Sequence, residues 1–106
     1  MPRTHPTIVV LEEHAAVQEL IDQALRAAGY RVLVTNNPME IIGLASRIRV
    51  DLLIGDIGAL EATEPKLAQC LTRISPVLTL GAPFSLQELQ DAVARALDAE
   101  DARRSG

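Results

Sequence analysis

Residues 51–56 read DLLIGD, two aspartates around a short apolar run. With Val50 ahead of it, the stretch 50–56 is too short for a helix and apolar at successive positions. That pattern predicts a strand buried on both faces, as in a parallel sheet. The aspartate at its far end, Asp56, stands where such a strand leaves the sheet. The same kind of run occurs at TIVVL (7–11), at YRVLVT (30–35) and, opening with a proline, at PVLTLG (76–81).

The segments between these runs have helical spacing. Val17, Leu20, Ile21, Ala24, Leu25 and Ala28 recur on one face, and Gly29 follows as a stop. In the next segment Asn37 is placed to cap a helix, Pro38 suits its first position and Glu40 stands three residues after the cap. Ile41, Ile42, Ala45 and Ile48 supply its inner face, and Gly43 weakens it mildly. Residues 57–62, IGALEA, are read as a loop. A third helix is expected from Thr63, its cap, to Ile74, with Leu67 and Leu71 also inward. In SLQELQDAVARAL, Ser85 and Glu88 form a capping-box pattern, and Leu86, Leu89, Val93 and Leu97 line one face. One domain over residues 1–98, with a frayed lead at 1–6, and a disordered polar tail over 99–106 complete the expectation. Strands alternating with amphipathic helices imply a doubly wound α/β sheet with right-handed crossovers.

In such a sheet the crevice beyond the carboxyl ends of the strands, at the point where strand order reverses, is where function sits. With strand order 2-1-3-4, Glu12 and Glu13 leave the first strand and Asp56 leaves the third, all toward that point. Clustered carboxylates repel one another unless a cation joins them, and Mg²⁺ suits oxygen ligands of this kind. An aspartate in that setting is a candidate phosphoryl acceptor. Each of the three also has a structural reading, because an acidic residue at a strand exit caps the helix that follows and favours its positive end.

Composition narrows the field. Of 106 residues 48% are apolar, enough for a core, and Tyr30 and Phe84 are the only aromatics. The formal net charge of −4 argues against a nucleic-acid binder, which needs a basic stripe; Arg47/Arg49 and Arg103/Arg104 are small clusters. No apolar run is long enough to span a bilayer. The single cysteine, Cys70, is read as a small core residue in a reducing compartment. A soluble cytoplasmic protein without membrane contact is expected. An enzyme is not: there is no Gly-rich phosphate loop, no nucleophile elbow, and no histidine with a catalytic partner. His14 is a solvated helix-start residue, His5 lies in the lead, Asn36 and Asn37 serve a turn and a cap, and Gly55 permits close packing.

Along nearly its whole length the chain resembles the receiver (CheY-like) domain of two-component response regulators. IVVLEEH is similar to the family's first strand with its acidic pair. The stretch from VQELIDQALRAAGY to VDLLIGDI follows the first helix through the third strand, including an aspartate, Asp51, five residues before the phosphoacceptor position. APFSLQEL is similar to the Lys-Pro-Phe turn and final helix. The resemblance implies a flavodoxin-like fold, Asp56 at the phosphoacceptor position, and Glu12, Glu13 and Asp56 as metal ligands. It also marks departures. About four βα units are present where the family has five, and residues 76–81 match either its fourth or its fifth strand. The switch hydroxyl falls on Gly81, with Thr79 the nearest alternative, and the lysine is replaced by Ala82.

Two functions follow from the resemblance. One is a degenerate receiver acting through protein–protein interaction with little or no phosphorylation switching. The other is a functional phosphoacceptor using Asp56 with Mg²⁺ in a phosphorelay. A shortened sheet also leaves 76–81 as an unguarded edge. Pro76, Val77, Leu78, Leu80 and Phe84 are therefore the candidate interface, for a homodimer or for a kinase or downstream regulator.

Overall fold

The structure is a computed structural model that describes residues 5–80 and 84–105. Its elements in chain order are β1 (Thr7–Leu11), α1 (Ala15–Ala27), β2 (Arg31–Thr35), α2 (Pro38–Ala45), β3 (Leu52–Ile54), α3 (Ile57–Thr63), α4 (Pro65–Ile74), β4 (Val77–Leu78) and α5 (Leu86–Ser105). The four strands make one sheet in the order β2-β1-β3-β4, all neighbours parallel, as the sequence predicts.

Register turns the apolar runs into two cores. Ile8 pairs with Val32 and Leu52, and Val10 with Val34 and Ile54; these face α1 and α5, meeting Ile21, Leu25, Leu89 and Val93. Val9 pairs with Leu53, and Leu53 with Val77; this row faces the other side, where Ile41, Ile57, Ala68 and Leu71 close over it. Ile8, Val9 and Val10 are wholly buried, which only a central strand covered on both faces can be. Burial of each such side chain contributes about 1.5–3 kcal/mol. Gln90 ties the first layer together by donating from Nε2 to the Ala24 carbonyl at 2.9 Å.

Local signals set most helix ends. Gly29 takes φ +94°, the left-handed conformation that ends α1. Asn37 Oδ1 accepts the Met39 N–H at 3.0 Å, and Pro38 opens α2. Ser85 and Glu88 exchange capping bonds, with Ser85 Oγ accepting the Glu88 N–H at 3.0 Å and Glu88 Oε1 the Ser85 N–H at 3.3 Å.

Several expectations are corrected. Residues 57–62 are helical, not a loop: Asp56 caps α3, and Ile57 is buried beneath it. Thr63 therefore ends α3 instead of capping α4. The break falls at Glu64 (φ −139°, ψ 72°), because the residue before Pro65 is driven out of the helical region. Cys70 is exposed; it is turned about 100° from Leu71, whose side faces the core. Ile48 lies beyond the end of α2 and is 38% exposed. Leu20 and Leu86 are also exposed, so each helical face is narrower than its spacing implies. The fourth strand is two residues long. Residues 99–105 continue α5, where Arg103 Nη2 donates to Glu100 Oε2 at 2.8 Å one turn back, support expected of i,i+3 pairs.

At the β2 edge, Arg26 of α1 donates from Nη2 to the Val32 carbonyl at 2.8 Å and from Nε to Asp22 at 2.7 Å. At the start of β3, Asp51 is 5% exposed. Its Oδ2 accepts the Thr7 N–H at 2.8 Å, and Arg49 Nε lies 3.3 Å from Oδ1. No helix among the described residues is long and apolar enough to cross a membrane.

Candidate acidic site at the strand ends

β1 and β3 lie side by side, and the chain leaves them toward opposite neighbours. A cleft of about 450 Å³ opens there, lined by Glu12, Glu13 and Asp56 together with Leu11, Asn36, Pro38, Ala59, Leu60 and Thr63. The three carboxylates named from the sequence thus border one cleft. No lysine or arginine is among the described residues that line it.

Each carboxylate has local work. Asp56 is exposed, and its Oδ1 accepts the Ala59 N–H at 3.0 Å, the N-cap bond of α3. Glu12 is held at its backbone, donating to the Thr35 carbonyl at 3.0 Å. Its Oε1 accepts the His14 N–H at 3.2 Å and lies 2.9 Å from His14 Nδ1. Glu13 is exposed at the rim. His14, the solvated helix-start residue of the sequence reading, is therefore also the partner that draws Glu12 toward α1.

This arrangement does not fit Mg²⁺ as it stands. Among the described residues no group of three His, Cys, Asp or Glu is gathered closely enough to hold a metal ion. Glutamates reach one methylene further than aspartates, and the bonds to His14 and to Ala59 engage Glu12 Oε1 and Asp56 Oδ1 at their own helix starts.

Two further features shape the site. A Cβ on Gly55 would lie 3.2 Å from the Leu11 Cβ and 3.4 Å from its carbonyl oxygen, so this glycine lets β1 and β3 close up just before Asp56. Thr79 turns its hydroxyl to the backbone, donating from Oγ1 to the Gly55 carbonyl at 3.1 Å. Gly81 and Ala82, the altered switch positions, lie outside the described residues. Of the interface candidates, Leu78, Leu80 and Phe84 pack on the α1/α5 core and Val77 on the other; with Pro76, all are half-buried. A second, mainly apolar cleft of about 440 Å³ adjoins Glu12 and Asp56, between Val17, Leu20, Leu80 and Phe84. Sequence reasoning missed it, and the exposure of Leu20 is its trace.

No family model matches the chain, and no curated protein matches it in sequence. Its backbone is similar to solved structures. A response regulator from Thermotoga maritima superimposes with TM-score 0.65 at 19% identity, over 89% of this chain and 98% of that one. The chemotaxis response regulator CheY4 of Vibrio cholerae gives 0.66 at 18%, over 89% and 100%. The signal receiver domain of an HD domain-containing protein from Pseudomonas fluorescens gives 0.69 at 18%, over 99% and 96%. Order β2-β1-β3-β4 and helices on both faces agree with that likeness: the chain has the flavodoxin-like fold of response-regulator receiver domains, built on four strands.

Proposed function

We propose that the chain is a degenerate receiver, a signalling module that acts by binding another protein in the cytoplasm with little or no switching by phosphorylation. The observation that carries this reading is the setting of Asp56. Its carboxylate caps α3 in a cleft with no basic residue among its described lining, and the neighbouring Glu12 is bonded to His14. An aspartate that takes up a phosphoryl group needs positive charge against the developing oxyanions. Ala82, at the position where the family resemblance puts lysine, brings none. Thr79, the nearest hydroxyl to the other switch position, is bonded to the backbone of β3.

The protein partner, a kinase, a downstream regulator or a second copy, docks at β4 and the adjoining Leu80 and Phe84. β4 is an open edge of the sheet, and Val77, Leu78, Leu80 and Phe84 there are half-buried. The net charge of −4 favours a protein over a nucleic acid.

A second reading is favoured by one observation: Asp56 is exposed at the exit of β3, in the same cleft as Glu12 and Glu13. On that reading it is a working phosphoacceptor in a phosphorelay, with Mg²⁺ held once the three carboxylates turn inward. Intact mass after incubation with a small phosphodonor and Mg²⁺ separates the two. Unchanged mass in wild type and in Asp56→Asn, with equal partner binding, is the expected result. A phosphoryl-sized adduct present in wild type and absent from Asp56→Asn would replace the first reading with the second.

A further inference from the structure

At the end of the sheet opposite the acidic cleft, a cavity of about 710 Å³ opens beside the starts of β1 and β2. That size lies in the range of small-molecule sites. Leu33 and Ile48 supply its apolar lining, Arg26, Arg31 and Arg49 its basic lining, and Asp51 one carboxylate. Leu33 and Ile48, at 37% and 38% exposure, are two of the few large apolar residues left open to solvent, and both face this one cavity.

Two of the arginines have acidic neighbours: Arg26 bonds to Asp22 and the Val32 carbonyl, and Arg49 Nε lies 3.3 Å from Asp51 Oδ1, whose Oδ2 accepts the Thr7 N–H. A guanidinium has five N–H donors. The contacts described engage Nε and Nη2 of Arg26 and place Nε of Arg49 3.3 Å from Asp51, so each guanidinium has N–H groups beyond those contacts. Arg31 is exposed at the start of β2, with its backbone N–H held by the Pro6 carbonyl at 2.9 Å. Asp22 and Asp51 offset two of the three guanidinium charges, so the net positive charge at this cavity is carried by Arg31.

We propose that this cavity binds a small amphiphilic anion, with its carboxylate or phosphate on the arginine rim and its apolar body on Leu33 and Ile48. Planar forked donors match such a head group in bidentate fashion. The apolar floor selects against a bare inorganic anion, and the rim selects against an uncharged or cationic molecule. The site lies at the far end of the strands from Asp56, so it stands or falls separately from the function proposed above.

The test is an amide NMR titration with octanoate, with octanol and inorganic phosphate as comparators. Octanoate is expected to shift His5, Leu33 and Ile48 saturably at millimolar concentration or below, with octanol and phosphate each roughly tenfold weaker or more. Arg31→Glu and Leu33→Glu alter solvent-reachable positions and are expected to weaken octanoate by roughly tenfold while keeping the wild-type melting temperature. Arg31→Gln serves in place of the glutamate variant if that one melts early. Anionic phospholipid vesicles are expected not to co-sediment the protein. The proposal is overturned if octanoate gives no shifts, if the shifts gather at Leu20 and Leu80, if either comparator binds as well as octanoate, or if the variants bind like wild type. Capture by the vesicles would reassign the site to a membrane surface.

Discussion

Replacing Asp56 by alanine and, separately, by asparagine distinguishes a helix cap from a mere member of a carboxylate cluster. Both substitutions remove the charge beside Glu12 and Glu13, so any relief of repulsion is common to the two. They differ in the bond to the Ala59 N–H, 3.0 Å in the structure. Asparagine accepts it as well as aspartate does; alanine cannot, at a cost of about 1 kcal/mol, within a usual range of 0.5–2. Unfolding entropy near 2.1 cal/mol/K per residue gives about 0.22 kcal/mol/K for 106 residues, so Asp56→Ala should melt about 4–5 °C below Asp56→Asn. The assay is thermal unfolding followed by far-UV circular dichroism, in metal-free buffer at neutral pH, on protein shown to unfold in one reversible step. Equal melting temperatures for the two variants, or a higher one for alanine, would refute the assignment of Asp56 as the α3 cap. The argument for its occupied carboxylate would go with it.

Three further outcomes are expected. Asp51→Ala strips the buried acceptor from the Thr7 N–H and should cost about 2–3 kcal/mol in urea unfolding, with Asp51→Asn recovering part of the loss; an unchanged midpoint for the alanine variant would contradict the anchoring role. Gly55→Ala places a methyl 3.2 Å from the Leu11 Cβ in a tightly paired sheet and should destabilise by about 1–2 kcal/mol, with amide shifts at Leu11 and Glu12; stabilisation would show that the strands part freely. The Tyr30 phenol is raised above its ordinary value of 10.0 by burial and then by the charge of Asp98. Its neutral form is favoured in the folded state, so this contribution is intact below pH 10.0 and lost as pH rises through the folded value. The melting temperature of wild type should therefore fall relative to Tyr30→Phe only above that pH, and parallel curves throughout would exclude the effect.

The fold was legible because its signals are local. TIVVL and RVLVT are strands on composition alone, and Gly29, the Asn37–Pro38 pair and the Ser85–Glu88 box bound their helices by backbone chemistry that needs no tertiary context. The α/β alternation gave a parallel sheet but not its strand order, which was the premise under which the carboxylates at two strand ends converge. What failed depended on competition between roles. Asp56 read as a site residue is the same residue that caps a helix, so the six residues after it passed for a loop. Cys70 passed for core because spacing marks a helix face without giving its width. That Glu12, Glu13 and Asp56 share a cleft was legible; that His14 draws one of them away was not, since a side-chain rotamer decides it. The arginine-rimmed cavity was invisible because Arg26, Arg31 and Arg49 are unremarkable in sequence and meet only through the pairing of Thr7 with Arg31 and of Asp51 with Thr7.

The bond from Arg26 to the Val32 carbonyl makes the two borders of the sheet unlike. A sheet whose two borders were equally bare would let each copy recruit the next without end. Here one border has a charged side chain seated on its backbone, which obstructs further strand pairing, while the opposite border, β4, has only two residues to present. A strand added to this sheet would meet the Arg26 side chain at β2 and no such seated charge among the described bonds at β4, so the two borders are unequal templates for pairing.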